Sequence, residues 1–179
     1  VAAPAACGEL LHLDADSVVL LTGGARGITA EIAVELAERF RPTLILVGRS
    51  PEPTAESEAT AGISEPRQIK SALIAQRRRS GLSTQLPEVE ADYRRLVAER
   101  EMRATFQRLE AAGARWEYHA ADVRLPEDMA RVLGEVRTRH RRLDAVMHGA
   151  GWIEDKLLLE KQWDSFERVF ETKALSTFL

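Results

Sequence analysis

The sequence has little cysteine, few aromatic side chains, no long apolar run and no excess of basic residues. Its one cysteine, Cys7, excludes a disulfide framework and is typical of a reducing compartment, so we expect a cytoplasmic protein. The longest apolar runs have the length of strands, which argues against a membrane-spanning helix. A net charge of −3 argues against nucleic acid as a partner, and the sequence assigns no metal ligands.

What is present suits one globular α/β domain, with 179 residues of which 45% are hydrophobic. Residues 1–15 begin with an alanine-rich stretch that has no basic start, so we interpret them as a lead-in or linker and not as a signal peptide. The domain is therefore expected over residues 16–179.

The most informative stretch begins with four aliphatic residues, Val18–Leu21, which predict a strand buried on both faces of a parallel sheet. The glycine-rich segment Thr22–Ile28 follows, and an apolar periodicity typical of a helix comes after it. A loop in this position directs backbone N–H groups and the positive end of the helix towards an anion, and pyrophosphate fits that chemistry. The alternative is a strand-to-helix turn that needs glycine for its geometry alone.

A second buried strand, Thr43–Val47, ends at Gly48-Arg49-Ser50 and completes a βαβ unit. The residue type at this strand end discriminates between nicotinamide cofactors. Arg49 suits the 2′-phosphate of NADPH, whereas an acidic residue would suit the ribose hydroxyls of NADH. Arg26 is a candidate second phosphate partner. The alternative is that Arg49 is an ordinary surface arginine.

Residues 51–114 are predicted to be a helical insertion between the second and third strands. A loop, ordered or disordered, is expected over residues 51–64, and helices are expected over Pro66–Arg79 and from near Pro87 to Gly113. The pair is too small to bury its own core, so it must pack on the sheet or on a neighbour. The basic cluster Arg77–Arg79 suits either a docking surface for an acidic partner or a solvated helix end.

Two further strands are predicted, Trp116–Ala120 and Leu143–His148. Asp122 lies just after the first of them and either faces the adenine of a cofactor or caps the helix that begins near Pro126. The small residues Gly149–Gly151 follow the second strand and allow the backbone to approach a cofactor ring.

The final helix is predicted from about Glu160 to the end of the sequence. One side of it is expected to face the sheet and carries Trp163, Phe166, Phe170 and Thr177. Lys173 falls on the same side. An inward lysine needs a partner or a function, unless its side chain extends past the helix edge to water.

These motifs, taken in order, resemble the short-chain dehydrogenase/reductase superfamily, although Thr29 replaces a glycine that is usual there. The ordered set, with a lysine at position 173 where ordinary members carry asparagine, is most similar to the ketoreductase (KR) domains of type I polyketide synthases. The long insertion makes polyunsaturated-fatty-acid synthases the most similar group. We therefore expect an α/β fold, a Rossmann-type doubly wound parallel sheet that is incomplete at its C-terminus.

The resemblance implies that NADPH reduces a β-ketoacyl group carried by an acyl carrier protein, with other domains of the same synthase as partners. A tyrosine supplies the proton, a serine orients the ketone, and a lysine lowers the pKa of the tyrosine. Only the lysine, Lys173, can be placed, because the serine and the tyrosine lie further along in the family than Leu179. Tyr93 lies in the insertion and Tyr118 in a strand, so neither can substitute. We therefore expect the N-terminal part of a ketoreductase, inactive alone.

The resemblance also implies a cofactor site. Its expected residues are Thr22, Gly23, Gly24, Arg26, Gly27, Ile28, Arg49, Ser50, Asp122, Val123, Gly149, Ala150 and Gly151. Ile153-Glu154-Asp155 resembles a Leu-Asp-Asp marker of the D-hydroxy product, although Asp155 is equally suited to a surface turn. Two other hypotheses are a free-standing reductase of a small carbonyl compound and a non-catalytic NADPH-binding scaffold.

Overall fold

Four parallel strands form the centre of the protein in a computed structural model that describes residues 12–151 and 154–178. The strands are β1 (Val18–Thr22), β2 (Thr43–Gly48), β3 (Arg115–Ala120) and β4 (Ala145–His148). The helices are α1 (Gly27–Phe40), α2 (Pro66–Arg79), α3 (Leu86–Ala111), α4 (Pro126–His140) and α5 (Trp163–Lys173). The sheet order is β3-β2-β1-β4, so β1 has a neighbour on each side and the chain crosses over between them.

Both faces of β1 and β2 are covered, as their continuous aliphatic runs predict, whereas Val146 of β4 is 61% exposed. On one face, Leu44 and Leu46 of β2 pack in a core with α1 and with Met102 and Phe106 of α3. On the other face, residues of β1 and β2 pack against α4 through Val132. Helices on both faces of a parallel sheet confirm the predicted doubly wound α/β fold.

The insertion between β2 and β3 has two halves with different roles. The C-terminal half of α3 packs on the sheet, whereas its N-terminal half packs Leu96 against Ile69 and Leu73 of α2. A helix of 26 residues is about 39 Å long, roughly twice the length of β2. Since α3 leads back to the start of β3, its N-terminal half and α2 project past the carboxyl ends of the strands. The prediction that this helical pair packs on the sheet is confirmed for α3.

The segment after β2 is a loop, as predicted, and arginines of α3 hold it in place. The Arg100 guanidinium donates to the Glu56 carboxylate at 2.6 Å and to the backbone oxygens of Thr60 and Ile63 at 2.8 and 2.7 Å. Arg103 donates to the same carboxylate at 3.2 Å. The loop is therefore fixed to α3 at the carboxyl edge of the sheet.

The basic end of α2 is divided between paired and exposed arginines. The Arg77 guanidinium pairs with Asp92 at 2.6 Å and Glu88 at 2.9 Å, which ties the end of α2 to α3. Arg78 and Arg79 are exposed. The first arginine of the cluster therefore stabilises the α2–α3 pair.

The prediction for the last helix is wrong in its bounds and in its buried side. The α-helix covers only Trp163–Lys173, between two 3-10 turns at Leu158–Glu160 and Leu175–Phe178. Trp163, Phe166 and Phe170 are 72%, 45% and 46% exposed, and the predicted inward Thr177 is exposed too. The three aromatic rings contact one another instead, with centroids 5.5 and 5.9 Å apart. The residues of α5 that turn inward are Ser165 and Thr172.

β4 is shorter than predicted at its start, and α4 ends at a residue with a left-handed backbone. β4 begins at Ala145 and not at Leu143, and α4 ends at His140 because Arg141 adopts a left-handed conformation with φ 60°. Residues 1–11 of the predicted lead-in, Cys7 among them, lie outside the described residues. No helix in the described part of the chain combines the length and the apolar character needed to cross a membrane.

Protonation of Glu56 should loosen the loop that Arg100 holds. The Arg100 hydrogen bond is the main reason that the pKa of Glu56 falls from 4.5 to about 2. Because the folded-state pKa is the lower one, this stabilisation is complete above pH 4.5 and is lost as the pH falls towards 2. We expect Glu56→Gln to reduce the free energy of unfolding by roughly 2–3 kcal/mol at neutral pH, as measured by urea denaturation.

The same denaturation series, run from neutral pH to pH 2, should show the difference between wild type and Glu56→Gln shrinking as the pH falls. Glu58→Gln, which changes an exposed carboxylate in the same loop, is the matched control and should have little effect. A difference that stays constant over this pH range would contradict the assignment.

Candidate functional site

The loops that follow the four strands meet at one edge of the sheet. Thr22 is in register with Val47 of β2 and with His148 of β4, and Gly48 is in register with Ala120 of β3. The carboxyl ends of the parallel strands therefore bring the predicted site segments together. The chain order reverses between β1 and β4, which is where open α/β sheets form a ligand crevice.

Gly23 allows the loop after β1 to touch the loop after β4. Its φ is +74°, and a Cβ atom there would lie 3.0 Å from the Ala150 backbone nitrogen and from the backbone of Gly149. The Gly23 N–H also donates to the Val47 oxygen at 2.7 Å. A side chain at this position would separate the two loops, so glycine is required for both conformation and space.

The other two loop glycines are required for different reasons. A Cβ atom on Gly24 would lie 2.9 Å from the side chains of both Leu21 and Leu46, so Gly24 lets the loop pack directly on the sheet. Gly27 lies in open space but has a φ of +60°, which most side chains disfavour. The loop therefore follows the strand closely and turns sharply into α1.

The N-terminus of α1 has the properties of an anion site. Arg26, its N-cap, makes no side-chain hydrogen bond to the first turn, and that turn contains no acidic residue. The first N–H groups and the positive end of the helix dipole are thus left for a ligand at the crevice. Arg26 and Ile28 are exposed beside them.

Thr29, which departs from the usual glycine, is accommodated by Gly149. The Thr29 side chain is buried, and a Cβ atom on Gly149 would overlap with it. Gly149 thus leaves the space that Thr29 fills between α1 and the loop after β4.

A hydrogen-bond network joins β1, β4 and α5 through His148. The Thr172 carbonyl can only accept, so the His148 Nε2–H donates to it at 3.1 Å. In the neutral ring Nδ1 is then the acceptor, and the Thr22 hydroxyl donates to it at 2.8 Å. The Ala150 N–H donates to the Thr22 Oγ1 atom at 3.1 Å. The predicted loop residue Thr22 is therefore fixed to the backbone that immediately precedes Lys173.

Lys173 lies beside the loop after β4 and not in the core. The lysine is exposed, and its Nζ atom would be 3.0 Å from a Cβ atom placed on Gly151. Gly151 therefore gives the ammonium room beside the loop after β4. Lys173 forms no ion pair with any other residue that the structure describes.

The turn after β2 carries Arg49 at the same edge. Arg49 is exposed, and its charge helps to lower the pKa of Asp122. The Ser50 carbonyl accepts a hydrogen bond from the Tyr118 hydroxyl at 2.5 Å. Tyr118 is not among the site residues predicted from the sequence, where it is excluded only as the proton donor. The strand alternation that places it on the α3 face was a signal that could have identified this contact.

Asp122 does not cap α4, so that alternative is wrong. The N-cap of α4 is Leu125, which makes no side-chain hydrogen bond. The Asp122 carboxylate instead accepts from the backbone and the guanidinium of Arg124, and these hydrogen bonds are the main reason that its pKa is lowered. The Val123 side chain is buried in the core, so only its backbone is available to a ligand.

The segment after Gly151 is described in part. Ile153, the first residue of the proposed stereochemical motif, lies outside the described residues. The Glu154 carboxylate accepts a hydrogen bond from Ser165 of α5 and pairs with Lys156, while Asp155 is exposed. Glu154 thus holds this segment against α5, and the product configuration stays a prediction.

Comparison with known proteins identifies the family. The KR domain family matches residues 17–178, which is most of the chain. The chain belongs to the KR domain family. It is 27% identical over 169 residues to a polyunsaturated fatty acid synthase polypeptide of Thraustochytrium sp., covering 90% of this chain and 6% of that protein.

Solved structures show the same fold. A ketoreductase domain from the bacillaene assembly line has a TM-score of 0.60 and 24% identity. The alignment covers 96% of this KR chain and 31% of the bacillaene chain. An N-terminal ketoreductase from the macrolactin assembly line has a TM-score of 0.57 and 23% identity. The alignment covers 93% of this chain and 24% of the macrolactin chain. A short-chain dehydrogenase from Mycobacterium paratuberculosis bound to NAD has a TM-score of 0.57 and 18% identity, covering 93% and 48%.

Substitution of Gly24 should test whether the loop after β1 needs glycine for its close packing on the sheet. We expect Gly24→Ala to lower the free energy of unfolding by about 1–3 kcal/mol, because the new methyl group would overlap with Leu21 and Leu46. Gly134→Ala is the matched control, since Gly134 lies in α4 with open space around it and should gain up to about 1 kcal/mol. Urea denaturation measures both, and equal effects would contradict the packing assignment.

Proposed function

We propose that this chain provides the NADPH-binding part of a ketoreductase that reduces the β-keto group of an acyl chain on an acyl carrier protein. The observation that carries the proposal is that the glycine-rich loop and the N-terminus of α1 adjoin the loop after β4, beside which the Lys173 ammonium lies. A reductase with a charged dinucleotide cofactor needs an anion site for the cofactor and a cation near the reacting group, and these elements match both needs.

The residues at the crevice fit a dinucleotide. The loop over residues 23–27 and the first turn of α1 would hold the pyrophosphate through backbone N–H groups, and Gly23 and Gly24 bring that backbone close. Arg49 and Arg26 would pair with the 2′-phosphate, which favours NADPH over NADH. Asp122 would lie towards the adenine and Gly149–Gly151 towards the nicotinamide. When bound, the nicotinamide supplies the hydride.

Lys173 would act on the proton-transfer side of the reaction. A cation close to a tyrosine hydroxyl favours the ionised form and lowers its pKa, which makes proton transfer to the developing alkoxide easier. The exposed position of Lys173, with no ion pair among the described residues, supports this role. We propose that the serine and the tyrosine come from sequence beyond residues 12–178, since the chain spans only 24–31% of the two assembly-line ketoreductases.

The substrate and partners follow from the same likeness. The relative in Thraustochytrium sp. is part of a synthase, and this chain covers 6% of it. We propose that other domains of such a synthase, with its acyl carrier protein, are the partners. The glycine contacts support cofactor binding over a degenerate scaffold. The division at residue 16, the inactivity of the chain alone and the cytoplasmic location remain predictions.

Arg49 should determine the preference for NADPH. We expect Arg49→Ala to weaken NADPH binding by about 10- to 100-fold, because a charge-assisted hydrogen bond to phosphate is lost, while NADH binding changes by less than about threefold. Fluorescence titration of this chain with each cofactor measures the two affinities. Arg79→Ala, at the far end of α2, is the matched control and should change neither affinity. Equal losses for both cofactors would contradict the 2′-phosphate contact.

Lys173 should be essential for turnover in the full-length protein. With NADPH and a β-ketoacyl group on an acyl carrier protein, we expect Lys173→Ala to lower kcat by about 100-fold or more with a smaller change in KM. NADPH consumption measures the rate, and mass spectrometry of the carrier-bound acyl group identifies the hydroxy product. Lys161→Ala should retain the wild-type rate. No reduction by the wild-type protein would overturn the proposed function.

A further inference from the structure

Tyr118 connects the insertion to the turn that carries Arg49. Its hydroxyl donates to the Ser50 carbonyl at 2.5 Å and would lie 2.8 Å from a Cβ atom on Gly48. The tyrosine therefore contacts the turn on both sides of Arg49. It follows from the register of β2 and β3, which pairs Leu46 with Tyr118.

The Tyr118 hydroxyl is a permanent donor under ordinary conditions. Burial raises the pKa of Tyr118 to about 12, so the group stays protonated across the working pH range. The Ser50 carbonyl has no proton to give, so the direction of the hydrogen bond is fixed. The contact is therefore a constant restraint on the turn and not a pH-dependent one.

The ring of Tyr118 is held by the insertion. Phe106 of α3 packs against it with ring centroids 5.5 Å apart, and the same phenylalanine stacks on Trp116 at 4.4 Å. Phe106 is itself buried in the core between α3 and the sheet. The charge of Arg26 acts on the Tyr118 hydroxyl from the loop after β1. Tyr118 thus contacts the turn that carries Arg49 through its hydroxyl and the insertion through its ring.

We propose that Tyr118 is a positioning residue for cofactor specificity, holding the Gly48–Ser50 turn so that Arg49 meets the 2′-phosphate of NADPH. This inference rests on the proposed function, because it assumes that NADPH is the preferred cofactor. It also gives α3 of the insertion a role, since Phe106 determines where the tyrosine ring lies. Loss of the hydroxyl should weaken recognition of the 2′-phosphate without affecting the pyrophosphate loop.

The test compares wild type, Tyr118→Phe and Tyr93→Phe by calorimetric titration of this chain. The probes are NADPH, NADH and the fragments 2′,5′-ADP and 5′-AMP, which differ in the 2′-phosphate. Tyr118→Phe keeps the ring that packs on Phe106, and its circular dichroism spectrum and Tm verify that it folds. Tyr93→Phe removes a hydroxyl from the α2–α3 contact and is the matched control.

We expect Tyr118→Phe to weaken the binding of NADPH and 2′,5′-ADP about tenfold. The affinities for NADH and 5′-AMP should stay within about threefold of wild type. Tyr93→Phe should change none of the four. If Tyr118→Phe weakens all four probes equally, or none, while wild type prefers NADPH, this inference is overturned and the proposed function stands. A wild-type chain that binds no probe, or prefers NADH, overturns both.

Discussion

The direct contact between the loop after β1 and the loop after β4 is the constraint on which the site depends. The backbone of Gly23 lies against the peptide units of Gly149 and Ala150, where a Cβ atom would be only 3.0 Å away. Thr22 adds a hydrogen bond across the same junction. Because this contact fixes both loops to each other, the N-terminus of α1 and the segment that leads to Lys173 occupy defined places around one crevice.

The insertion is part of this arrangement and not an appendage. Half of α3 forms one layer of the domain, while the other half carries α2 past the carboxyl edge of the sheet. Several contacts of α3 join it to the site, among them the Arg100 and Glu56 pair and the packing of Phe106 on Tyr118. Both act on the segment after β2, which connects the architecture of the insertion with the proposed cofactor preference.

Much of the fold and part of the site could be predicted from local sequence. The aliphatic runs predicted β1 and β2, and the glycine spacing predicted the turn into α1. The aromatic side of α5 could not be predicted, because periodicity shows that Trp163, Phe166 and Phe170 share a face but not what covers that face. The role of Asp122 could not be predicted either, since the same residue type caps a helix or pairs with a neighbouring arginine.

The sequence by itself determined the strands, the glycine-rich loop and the helices other than the bounds of the last one, because backbone conformation and apolar patterning are local properties. Only the tertiary structure decided which side chains complete the site. The Thr22–His148 and Tyr118–Ser50 hydrogen bonds join residues 126 and 68 positions apart in the chain. Such contacts depend on the order and register of the strands, and those follow from how the whole sheet packs between its helices.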